Sequence, residues 1–315
     1  MTSKKTIAVV GATGAQGGAL TRAIMADTNG PFTVRAITRK PGSPQAQALA
    51  AAGAQVVTGD SDQGETMKTA FDGADAAFCV TNYWEHFSPE REIAQARALA
   101  EAAKAAGVAH VVWSTLEDTR HWVPLEDQRM PTLMGKYKVP HFDTKGEADG
   151  FFRELGVPTT FMLTSFYWEN FIYFSLGPKA GADGVLELTF PLDDKKLPGI
   201  AVEDIGRCAY AIFKRGAEFV GRTVGISGGH PTGAEMATAY GAALGRAVRY
   251  NNVPPDVYRS FGFPGADDLG NMFQFKRDFN DYYCGARDLA FGRSLNPEMQ
   301  TLDRWMEKNK GKLTA

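Results

Sequence analysis

The sequence predicts an α/β protein: a doubly wound parallel sheet with a smaller α+β lobe built from the C-terminal part. Three observations predict it. Short β-branched runs alternate with helical stretches through the first half. A glycine triplet lies between the first strand and the first helix. The later part loses this alternation and becomes rich in glycine, proline and aromatic residues.

The elements follow in order. Ile7–Val10 reads as a strand and Ala15–Asp27 has helical spacing. Phe32–Thr38 is a strand, and Gln45–Ala52 a helix stopped by Gly53. Gln55–Thr58 is a strand, and Glu65–Phe71 a helix ending at Gly73. Ala76–Val80 precedes a long helix from about Pro89 to Ala106, which ends at Gly107, and His110–Trp113 is the fifth strand. Strands separated by helices of this length form right-handed βαβ units and a parallel sheet. Pro140–Leu155 then reads as a helix and Thr159–Leu163 as a strand. Gly177–Leu197 reads as loops with a small hairpin, and Val202–Arg215 as a helix with Asp204 at its N-cap. Thr223–Ser227 is a strand. In Thr232–Leu244, Thr232 and Glu235 have the spacing of a capping box. From Pro254 onward the chain is mostly helical. The predicted sheet domain is 1–163 with about 197–230. About 164–196 and 231–315 form the smaller lobe, which would meet a substrate or partner.

Composition narrows the classes. With 34 Lys and Arg against 36 Asp and Glu, the net charge of −2 offers no basic field for nucleic acid and no polybasic membrane patch. The cysteines Cys79, Cys208 and Cys284 have no CxxC spacing, so neither a disulfide framework nor a metal site is expected. MTSKKTIAVVGATG does not read as a signal peptide, and no apolar run reaches the ~20 residues that span a bilayer. A reducing cytoplasm is the expected setting.

The main chemical signal is Gly11-Ala-Thr13-Gly14-Ala15-Gln16-Gly17, between a strand and a helix. Gly11 permits the tight turn, Gly14 lets backbone approach a pyrophosphate, and Gly17 lets helix pack on strand. The helix N-terminus offers free N–H groups and partial positive charge. This Rossmann-type GxxGxxG turn predicts a dinucleotide. The second strand ends Thr38-Arg39-Lys40 with no acid to hold a ribose 2′-hydroxyl. A guanidinium suits a 2′-phosphate, so NADP(H) is expected over NAD(H); the alternative is a solvated surface pair. Asp60 and Ser61 follow the third strand and are expected near the adenine. Thr81, Asn82 and Tyr83 follow the fourth and are expected along the ribose and nicotinamide, with ordinary packing as the alternative for Tyr83.

GATGAQGG, VTGDSD, VTNYWE (80–85), HFDTKGE (141–147) and GFPGADDLGNMFQF (262–275) together resemble the NmrA-like family of atypical short-chain dehydrogenases, most of all its redox-sensor branch. The likeness covers nearly the whole chain. It implies a two-lobed NADP(H)-binding fold. It also implies a regulator whose conformation and homodimerisation follow the cofactor's redox state, with a protein partner. By position it implies Arg39 at the 2′-phosphate, Lys145 near the nicotinamide, and Arg97 where the sensor branch has a basic residue. Gly42 and Ser43 depart from that branch, whose loop after the second strand is more basic.

Short-chain dehydrogenases that turn over substrate place Tyr-x-x-x-Lys on one helix face, with Ser or Thr after the fifth strand. Here His141-Phe-Asp-Thr-Lys145 keeps the lysine and replaces the tyrosine, and Ser114 and Thr115 stand after the fifth strand. Two readings follow. Either His141 serves as acid/base in an NADPH-dependent reductase of a carbonyl, enone or quinone-like molecule, or hydride chemistry is lost and Lys145 only binds cofactor.

Overall fold

The computed structural model describes residues 4–313. Its first half runs β1 (Lys5–Val9), α1 (Ala15–Ala26), β2 (Phe32–Thr38), α2 (Pro44–Ala51), β3 (Gln55–Thr58), α3 (Gly64–Phe71), β4 (Ala76–Cys79), α4 (Pro89–Ala106) and β5 (His110–Thr115). Then come α5 (Pro140–Glu154), β6 (Thr159–Leu163), β7 (Phe166–Tyr167), α6 (Asn170–Tyr173), β8 (Lys179–Ala180), β9 (Leu186–Phe190), β10 (Gly199–Ile200), α7 (Val202–Arg215) and β11 (Thr223–Gly225). The remainder is α8 (Gly233–Leu244), β12 (Val248–Asn252), α9 (Pro255–Arg259), α10 (Ala266–Asp278), α11 (Asn280–Gly285), α12 (Leu289–Leu295) and α13 (Leu302–Asn309).

The chain divides into two compact units. The first comprises Met1–Asp118, Thr144–Leu163 and Glu203–Val224. It contains a seven-stranded sheet ordered β11-β6-β5-β4-β1-β2-β3. The ladders joining β3, β2, β1, β4, β5 and β6 are all parallel. The strand order reverses between β1 and β4, and a sheet of this kind opens a crevice at the carboxyl ends of the two strands where it reverses. The apolar face of α4 (Ala96, Leu99, Ala103) buries against Met67, Phe71, Val111 and Trp113. β4 reads Ala-Ala-Phe-Cys and is buried throughout, as a strand covered on both faces must be.

The second unit comprises Thr119–Asp143, Thr164–Val202 and Gly225–Ala315. Its three-stranded sheet, β12-β9-β8, includes the expected hairpin, with β8 antiparallel to β9. The capping box at Thr232 and Glu235 forms as expected and starts α8. β12 escaped the sequence reading. Its Val-Arg-Tyr-Asn-Asn run alternates over only Val248 and Tyr250, too short a pattern to mark a strand, and β9 pairs with it in parallel.

Three local expectations change. Asp204 is not an N-cap, because α7 begins two residues earlier, where the Val202 N–H donates to the Glu169 carboxylate at 3.0 Å. Ser114 and Thr115 do not follow β5 but end it, paired with Met162 and Leu163 of β6. Tyr83–Glu85, read as loop, closes into a 3-10 turn. Among the described residues no helix is long and apolar enough to cross a membrane, and no cluster of three metal-ligating side chains occurs.

Candidate functional site

The floor of the site is the glycine turn. Gly11 has φ +64°, a conformation that side chains disfavour, and its carbonyl accepts from the Gly14 N–H at 2.8 Å. A Cβ on Gly17 would lie 2.5 Å from both the Val10 and the Gly11 carbonyl oxygens, so α1 packs on the end of β1 at a distance only glycine permits. Gly14 is the N-cap of α1 and contributes no side-chain acceptor, and the first turn carries no acid. Thr13, Gly14 and Ala15 are exposed and Gln16 is half-buried. The first-turn N–H groups have no intrahelical acceptor. An anion is the partner that such a cradle fits, and a pyrophosphate has the right charge and size.

The rim is ionic. Arg39, directly after β2, donates from Nη1 and Nη2 to the two carboxylate oxygens of Glu85 at 2.6 and 3.0 Å. The Glu85 hydrogen bond and charge hold the guanidinium's pKa above its ordinary value, and the Arg39 hydrogen bond holds the Glu85 carboxyl below its own. Lys40 is exposed, and its backbone N–H donates to Thr38 Oγ1 at 3.2 Å. The Asp60 carboxylate accepts from the Asp62 N–H at 3.1 Å, and Ser61 is half-buried beside it. Asp62 accepts from Arg91 at 2.5 Å and from Gln95 at 2.8 Å. Asn82 is exposed, whereas Tyr83 is 2% exposed and meets Trp84 edge-on at 5.6 Å, so Tyr83 packs the turn.

Beneath the rim lies a buried network. Lys145 Nζ donates to the Thr81 carbonyl at 3.0 Å and the Thr81 hydroxyl at 2.6 Å, and lies 2.8 Å from Glu92 Oε1. The same Glu92 oxygen accepts from the Thr81 hydroxyl at 2.6 Å. Glu92 Oε2 lies 3.3 Å from His86 Nε2. The Ser88 N–H donates to His86 Nδ1 at 3.1 Å, which leaves Nε2 to carry the proton toward Glu92. Burial pushes the Glu92 carboxyl up, but the Lys145 charge, the nearby His86 imidazole and the bonds from Lys145 and Thr81 outweigh it and hold it down at about 2. Sequence reasoning missed Glu92. Its signal was there: Glu92, Gln95, Ala96 and Leu99 share one helical face, so a carboxylate stands in the apolar stripe of α4.

Thr115 turns into the core, where its hydroxyl donates to Asp149 at 2.7 Å and lies 3.1 Å from the Lys145 carbonyl oxygen. Trp113 Nε1 donates to the same Asp149 oxygen at 2.9 Å. Burial raises the Asp149 carboxyl to about 6, against the pull of Thr115 and Arg153. Ser114 is 2% exposed. In the second unit, His141 near the start of α5 is also buried. Its Nδ1 lies 2.6 Å from Asp268 Oδ1, and its backbone N–H donates to Oδ2 at 3.2 Å. A carboxylate only accepts, so the His141 proton sits on Nδ1. Asp268 was not singled out in the sequence. Nothing local marks it, because its partner lies 127 residues away.

A parallel sheet reversing beside a glycine turn, with an uncapped helix behind it, defines a Rossmann-type protein. The chain belongs to the NmrA-like family, whose model matches residues 3–313. It is 32% identical over 301 residues to the NmrA-like family domain-containing oxidoreductase FrzB of Cladobotryum sp, covering 88% of this chain and 85% of that protein. It is 31% identical over 352 aligned positions to the NmrA-like oxidoreductase notA of Aspergillus sp. (strain MF297-2), covering 98% and 97%. Among solved structures it resembles NmrA, a negative transcriptional regulator, with a TM-score of 0.79 and 26% identity over 97% of this chain and 95% of that one. NmrA has been crystallised with NAD and with NADP, and those structures match this chain with TM-scores of 0.78 and 0.77.

Proposed function

We propose that this chain binds NADP(H) in the unit with the seven-stranded sheet and acts as a redox-state regulator, in the cytoplasm and as a homodimer. The dinucleotide part rests on the glycine cradle and on a family likeness to a protein crystallised with NAD and with NADP. Gly11, Thr13, Gly14, Ala15, Gln16 and Gly17 would hold the pyrophosphate. Arg39 and Lys40 would meet the 2′-phosphate, Asp60 and Ser61 the adenine side, and Thr81, Asn82 and Lys145 the nicotinamide side, with Tyr83 packing the turn that carries Asn82.

One observation carries the regulatory part. The hydroxyl of Thr115, which a carbonyl reductase would aim at its substrate, is fully buried and donates to Asp149. Lys145 is likewise held by an internal carboxylate. A regulator needs contacts that differ between the two redox forms. Hydrogen exchange and sedimentation with saturating NADPH and then NADP+ test this. Different protection or different assembly in the two forms is expected; identical behaviour rejects it.

A second reading has its own support. The His141–Asp268 pair is the arrangement that holds an imidazole in one tautomer for proton transfer, and the relatives FrzB and notA are named oxidoreductases. Bound NADPH would supply a hydride, and His141, as an imidazolium that keeps Nδ1–H on Asp268, would supply its Nε2 proton to a carbonyl, enone or quinone-like substrate. In that case NADPH oxidation against a panel of such compounds disappears in His141→Ala while NADPH affinity stays within about twofold.

A further inference from the structure

The second strand ends without an acid, yet the fold brings one to that end. Glu85 arrives from the turn after β4, and both of its oxygens occupy the two Nη atoms of Arg39. β4 and β2 flank β1 on either side, so the pair joins the two borders of the edge into which the glycine turn opens. A guanidinium binds a phosphate through the same fork that it offers a carboxylate, so both cannot take the Nη1–Nη2 edge of Arg39 together. The pair is close to half exposed, at 47% and 42%, so a ligand can reach it. An exposed pair of this kind is weak enough to exchange. The turn that carries Glu85 also holds strain: Phe87 sits at φ +53°, an uncommon conformation for an aromatic residue.

We infer that Glu85 is a specificity-determining residue that competes with the cofactor's 2′-phosphate for Arg39 and holds the Tyr83–Glu85 turn in place until that phosphate arrives. The inference rests on the proposed dinucleotide site. A cofactor with a 2′-hydroxyl leaves the ion pair intact, because the hydroxyl can donate to a carboxylate oxygen. A 2′-phosphate displaces Glu85 and comes under the charges of Asp60 and Asp62, which also act on Arg39. Glu85 therefore moderates the preference for NADP(H) that Arg39 alone would set. The turn is released by the 2′-phosphate and not by the redox state.

The test is calorimetric titration of the full chain and of Glu85→Gln with NADPH and with NADH. Glutamine keeps the size of the side chain at an exposed position and removes its charge. The NADPH-over-NADH ratio of affinities is expected to rise about tenfold in Glu85→Gln, mainly through tighter NADPH binding. Gain of NADPH binding by Glu85→Gln where the parent binds only NADH also supports the inference. An unchanged ratio with both nucleotides bound overturns it and leaves the dinucleotide site standing. Absence of binding of either nucleotide to either protein overturns both.

Discussion

The floor and the rim of the candidate site are built on different physics. The floor is backbone. Gly11 turns where side chains rarely go, and Gly17 admits the helix against two carbonyl oxygens at a distance that no Cβ tolerates. The rim is charged side chains, with two exposed pairs among them, Arg39 with Glu85 and Arg91 with Asp62. Steric exclusion at the floor leaves one arrangement. Charge pairing at the rim leaves several, because a carboxylate and a phosphate are interchangeable partners for a guanidinium. A site made this way holds any dinucleotide by its pyrophosphate and chooses among dinucleotides with parts that can move.

The floor is the place where the largest effect is expected. Gly17→Ala puts a methyl group 2.5 Å from two backbone oxygens, so α1 must retreat from β1. Urea denaturation should register a loss of about 2–3 kcal/mol. Affinity for NADPH and NADH should fall together, by roughly 30- to 100-fold. A selective loss of one nucleotide would mean that the floor also discriminates, and the contrast with the rim would fail.

Burial sharpens the contrast further. Glu92 and Lys145 carry opposite charges as the rim pairs do, but Glu92 is fully buried. Glu92→Gln leaves the lysine without its counter-charge and should cost about 3 kcal/mol at pH 7. Lys145→Met in the same chain should recover much of it, because no lone charge remains. The carboxyl is held at about 2, below its ordinary 4.5, so the folded state binds its proton less readily than the unfolded state does. The stabilisation is therefore complete above about pH 4.5 and is lost as pH falls from there toward 2. A stability–pH profile of Glu92→Gln should lack that drop. A profile parallel to the parent's would assign the drop to other carboxylates.

The smallest effect belongs to the exposed rim. Asp62→Asn removes the charge that faces Arg91 at 2.5 Å, with side chains 30% and 43% exposed. Stability should change by less than about 1 kcal/mol and less again in high salt. A loss as large as that of Glu92→Gln would show that exposure does not set the scale, and the distinction between rim and interior would go with it.

What could be read in the sequence follows the same division. The alternation of strands and helices, the stop of α4 at Gly107, the capping box at Thr232 and the glycine turn are legible because each is a local conformational demand, met by residues within a few positions of one another. Arg39 and Lys145 could be singled out by their place after a strand and on a helix. Their partners could not. Glu85 is 46 residues from Arg39, His141 meets Asp268 across 127, and β12 pairs with the distant β9. Thr115 showed the limit most clearly. Its position suggested a substrate contact, whereas the buried Asp149 takes its hydroxyl into the core.

The sequence by itself determined the order of elements, the sheet class and the anion-binding turn, because backbone sterics and side-chain periodicity act over short stretches of chain. The tertiary structure alone decided which acid meets which base, and hence which hydroxyls and ammonium groups are taken up internally. Those pairings depend on distances between residues far apart in sequence, which exist only once the sheet has brought its strand ends together.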